Sequence, residues 1–82
     1  MNSEFNLYEL KYLQRIEQKY NINNAVGREI ILYSKRINNG LMLYWFLDRV
    51  TEYIYRHNAK SSESAKTLLN TFHEKYVVTF GR

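Results

Sequence analysis

The chain has no cysteine and no proline, only three glycines, and a single aspartate in 82 residues. Without cysteine there is neither a disulfide framework nor a thiolate metal site to support the fold. Without proline, and with Gly27, Gly40 and Gly81 far apart, few points interrupt a helix. No phosphate-cradling glycine loop and no glycine-framed nucleophile turn occurs, and Asp48 is the lone aspartate. His57 and His73 do not form the two-histidine pair, four residues apart on one helix face, that holds zinc. Ser34, Ser61, Ser62 and Ser64 read as capping or surface residues. The sequence therefore points to no catalytic residue, no metal and no cofactor.

Long hydrophobic runs are also missing. Leu41–Leu47 is the longest, well short of the roughly 20 residues a membrane span needs. The start Met-Asn-Ser-Glu-Phe-Asn lacks the basic-then-apolar order of a signal peptide. A soluble cytoplasmic protein is expected. Charge is mildly of one sign, with a formal net of +4 and a pI near 9.4. Lys and Arg are spread along the chain, so there is no basic arm. Asn, Lys, Ile and Tyr are frequent, as A/T-rich codons give and as small proteins of phages and mobile elements often show.

What the chain has in quantity is aromatic residues, 16% of it, with Tyr the most frequent. At this length one domain spans residues 1–82. A chain of this size buries only about 60–65% of its unfolded surface. Spacing predicts four helices, over 7–20, 25–38, 41–57 and 62–76, in an all-α bundle with a short packed tail at 77–80. An antiparallel bundle and an orthogonal packing both fit, and the tail suits helix or strand.

Asn6-Leu7-Tyr8-Glu9 has the form of a capping box. Leu10, Leu13, Ile16 and Tyr20 share a face of the first helix, with Phe5 and Tyr12 at its margin. Asn21 can close that helix in a left-handed conformation. Val26, Ile30, Tyr33 and Ile37 form the seam of the second, and Gly27 within it allows close approach of a neighbour. Leu43, Leu47, Val50 and Ile54 form the core stripe of the third, which is the most apolar and aromatic segment and holds the only Trp. Ala65, Leu68, Leu69, Phe72 and Tyr76 make the fourth amphipathic.

Two surfaces exceed what a small bundle needs. On the second helix, Ile31 and Leu32 framed by Arg28 and Lys35 face away from the predicted seam. On the third, Leu41, Tyr44 and Trp45 with Arg49 lie off the core stripe. Trp, Tyr and Arg dominate many interfaces. The sequence leaves Trp45 divided between core, under the first helix or the tail, and interface. A docked protein partner is the favoured reading, in a non-enzymatic regulator of phage or mobile-element type. A host-enzyme inhibitor or a lysis regulator of the antiholin type would fit, and a self-complementary patch would give a homodimer.

The alternative is a basic nucleic-acid-binding regulator. A helix-turn-helix built on the second and third helices would offer Leu41–Leu47 to the bases, a poor reader. One built on the first and second helices could present Asn24, Arg28, Lys35 and Arg36, but places Glu17 near a turn that normally takes a small residue.

Overall fold

Three of the four helices begin where the sequence supplies a polar cap. The computed structural model describes residues 5–78, in which α1 is Leu7–Tyr20, α2 Asn24–Ile37, α3 Tyr44–Arg56 and α4 Ser62–Phe72. Among these residues there is no strand. Asn6 Oδ1 accepts from Glu9 N, and the Glu9 carboxylate accepts from Asn6 N, both at 2.9 Å, so the capping box is complete. Asn23 Oδ1 accepts from Val26 N, and Ser61 Oγ from Ser64 N. Helix ends are closed by asparagines with left-handed φ: Asn21 after α1, Asn39 after α2 and Asn58 after α3. Asn39, rather than Gly40, takes the closing position after α2, with Gly40 N donating to Lys35 O at 2.7 Å.

The third helix starts at Tyr44, three residues later than its periodicity predicts. Residues 41–43 contain no side chain able to cap an earlier start, and Leu43 at the cap position makes no side-chain cap bond. At the other end of the chain, α-helical geometry stops at Phe72 and passes into a π-helical turn, His73–Val78. The tail, for which helix and strand both fit, is thus helical at 77–78, while 79–80 lie outside the described residues. The wider turn brings Tyr76 beside Tyr53, with ring centroids 6.1 Å apart, and beside Phe72 at 5.0 Å.

The central element is α2, not the aromatic third helix. It packs against α1, α3 and α4, while α3 also packs on α4. This explains why α2 is buried on more than one face. Val26, Ile30 and Tyr33 form the expected seam, with Ile37 half-buried at its end. Gly27, Ile31 and Ser34 are buried as well. A Cβ on Gly27 would lie 2.7 Å from Leu13 Cδ2 and 3.3 Å from Ile16 Cδ1, so the missing side chain lets α1 and α2 approach closely.

The buried face of α1 is rotated from the predicted one. Glu9, Tyr12, Leu13 and Ile16 are buried, whereas Leu10 is 44% exposed. Polar partners on other helices make the difference. Glu9 Oε2 meets Lys35 Nζ at 3.0 Å. Tyr12 donates its phenolic proton to Asp48 Oδ1 at 2.9 Å, which leaves its oxygen to accept from Thr51 Oγ1 at 2.9 Å. Arg15 reaches the same Asp48 oxygen at 3.3 Å. Burial pushes the Tyr12 phenol well above its ordinary pKa, and the Asp48 carboxylate raises it further. No buried side-chain nitrogen or oxygen among the described residues lacks a partner.

Candidate docking surface

The surface predicted on α2 does not assemble. Ile31 is fully buried, at 0% exposure, because α2 sits between neighbours and this side faces α1. Lys35 is committed to Glu9, and the Arg28 guanidinium lies 5.3 Å over the Phe5 ring. Leu32 alone of the two aliphatics is exposed. It borders a shallow hollow between α2 and α4 with Tyr33, Arg36 and Lys66. Ile31 is therefore removed from the candidate site, and Arg28, Leu32 and Lys35 are not parts of one patch.

The residues predicted for a surface on the third helix are exposed but do not form one patch, and Leu41 lies ahead of α3. Leu41, Tyr44, Trp45 and Arg49 are all exposed. Trp45 shows 66% of its surface, and neither α1 nor the turn at 73–78 covers it. Its ring stands perpendicular to that of Phe46, with centroids 5.8 Å apart. Tyr44 leans the other way, against Tyr12 at 6.0 Å. Tyr55, lower on the helix, pairs with Tyr20 at 5.0 Å. Trp45 and Arg49 thus separate from Tyr44 and Tyr55 and face α4.

There the two helices leave a furrow of about 400 Å³. Phe46, Tyr53 and Phe72 form its floor, with Tyr76 and Val77 on the far wall. The floor rings interlock: Phe46 meets Phe72 at 6.1 Å and Tyr53 meets Phe72 at 5.3 Å, both edge-on. Edge-to-face pairs of this kind add about 0.5–1.5 kcal/mol each beyond the area they bury. The near rim is one stripe of α3, Trp45, Arg49, Glu52 and Arg56, at helical steps of four, three and four.

This rim is basic on balance. Arg56 pairs with Glu52 at 3.7 Å, both side chains being mostly exposed, a geometry of little energetic weight. Arg49 forms no ion pair among the described residues. Neither histidine opens into the furrow. His57 lies against Tyr53 at 4.3 Å, and His73 Nδ1 shares a hydrogen bond of 3.0 Å with the Tyr33 hydroxyl. Burial pushes the Tyr33 phenol up to about 12, so it is neutral in that bond at ordinary pH. No group of three potential metal-ligating side chains occurs among the described residues.

The far wall was not foreseen. Phe72 and Tyr76 have the spacing of core positions, and a hydrophobic pattern cannot tell a floor open on one side from a sealed core. The signal present was the density of rings, Tyr53, Phe72 and Tyr76, on two helices joined by the short link at 57–61. No known protein family, characterised protein or solved structure matches the chain. No helix among the described residues is long and apolar enough to cross a membrane.

Proposed function

We propose that this protein is a small non-enzymatic regulator, of phage or mobile-element type, that acts by binding another protein through the α3–α4 furrow. The observation that carries the reading is the exposed indole of Trp45 at the mouth of an aromatic cleft. A tryptophan left in water costs solvation free energy that burial against a partner would recover, roughly 25 cal/mol for each Å² of apolar surface covered. Tryptophan and arginine side by side are the residue types that most often carry binding energy. The two histidines are engaged with tyrosines, which also favours binding over chemistry. Inhibition of a host enzyme and control of lysis by antiholin-like binding are the two roles this reading covers.

Affinity capture from the native host tests this, run in parallel with Trp45→Ala and Leu32→Asp. Both substitutions lie on exposed positions and leave the core intact. The expected result is a protein recovered with the wild type and with Leu32→Asp but lost with Trp45→Ala. Recovery that ignores Trp45→Ala would contradict the reading. Recovery of nucleic acid, released steeply by salt, would replace it with a nucleic-acid-binding regulator.

A further inference from the structure

The furrow also carries information about its occupant, given that it docks a protein as argued above. Its rim stripe from Trp45 to Arg56 runs roughly 16 Å along α3, at about 1.5 Å per residue. That is the length of three helical turns, and the trough between two helices matches the groove that a third helix fills. Along the rim, Arg49 and Arg56 stand roughly 10 Å apart, with the Glu52 carboxylate between them. Arg49 lacks an ion-pair partner among the described residues, and Arg56 holds Glu52 only loosely at 3.7 Å. The floor beneath them is entirely aromatic.

We propose that the furrow receives an amphipathic helix of a protein partner, whose apolar stripe lies on Phe46, Tyr53 and Phe72 and whose carboxylates, about two turns apart, meet Arg49 and Arg56. Charge decides against the other occupants. Two copies of this chain brought together across the furrow would oppose like charge, since each molecule carries +4 and each rim holds two arginines to one glutamate. A nucleic-acid strand brings a phosphate at every nucleotide, so Glu52 would face one of them. A helix can place its two acidic residues opposite the arginines and a neutral or basic one opposite Glu52.

The test is a selection from a displayed library of helix-forming peptides against the wild-type protein, followed by calorimetric titration of the best binder as a synthetic peptide. Enriched sequences should carry acidic residues seven apart beside an apolar stripe. Arg49→Glu should weaken the selected peptide about tenfold or more, and a Glu→Lys change at the facing peptide position should restore binding to that variant. Trp45→Ala should abolish it, while thermal melting of both variants stays close to wild type. Peptides lost with Trp45→Ala but without acidic pairs, or indifferent to Arg49→Glu, would overturn this inference and leave the docking reading standing. Failure to obtain any binder that depends on Trp45 would sink both. Trp45-dependent binding of an oligo-thymidine probe, or a concentration-dependent dimer that buries Trp45, would put a strand or a second copy in the furrow instead.

Discussion

The α1–α2 seam and the α3–α4 seam belong to one small bundle, yet one is sealed and the other open. Between α1 and α2, Gly27 lets the helices close onto Leu13 and Ile16. A buried carboxylate, Glu9, is matched there by Lys35. Between α3 and α4 the facing residues are larger, and the rings of Phe46, Tyr53 and Phe72 lie under a furrow edged by Trp45. The contrast teaches that apolar content does not decide what is buried. The sealed seam encloses a charge because a partner is present, and the open one exposes an indole because its bulk exceeds what two short helices can enclose.

The comparison is broken most severely by changing the sealed side. Ile31→Ala, deep between the helices, should cost about 3–4 kcal/mol, lowering the thermal midpoint by well over 10 °C on a scale of about 4–8 °C per kcal/mol. Lys35→Ala leaves the Glu9 carboxylate buried without its cation. Full burial of an unpaired charge costs about 3–5 kcal/mol. Because the Lys35 side chain is 29% exposed, water takes part of its place and about 2 kcal/mol is expected in denaturant unfolding. Gly27→Leu should destabilise by about 1–3 kcal/mol through overpacking. Gly27→Ala should be near neutral, since a helix-propensity gain of up to about 1 kcal/mol offsets the shift of the Leu13 side-chain end.

A smaller effect concerns pH. The Tyr33 phenol is raised by burial from 10.0 to about 12, so the unfolded chain ionises before the folded one does. Its contribution is fully present below pH 10 and is lost as pH rises toward 12. Unfolding midpoints measured from pH 9 upward should therefore fall less steeply for Tyr33→Phe than for the wild type. Equal slopes would show that burial of this phenol does not couple to stability.

Much of the fold was legible in the sequence because local chemistry dictates it. Asn6 with Glu9 starts a helix where a polar side chain meets free backbone amides, and Asn21 ends one by tolerating a left-handed φ. For the second and fourth helices the sequence leaves Asn23 or Asn24 and Ser61 or Ser62 as caps, and the fold uses Asn23 and Ser61. Gly27 was recognisable as a close-approach position. The rotation of α1 was not legible, because Tyr12 is drawn inward by Asp48 and Thr51, residues that only the folded chain brings near. Ile31 was misplaced for a related reason. A helix with three neighbours buries positions that a one-sided stripe assigns to solvent. Of the candidate site, Trp45 and Arg49 were named from helical spacing off the core stripe together with residue type, whereas the part played by Phe72 and Tyr76 depends on α4 and the turn after it lying beside α3.

The central claim is that the indole at the mouth of the α3–α4 furrow stands in water in the free protein. Trp45 is the only tryptophan, so its fluorescence reports on that point alone. The account predicts a red-shifted emission, readily quenched by iodide, whose maximum barely moves when guanidinium unfolds the chain. A blue-shifted, quencher-resistant emission that moves to the red on unfolding would contradict it.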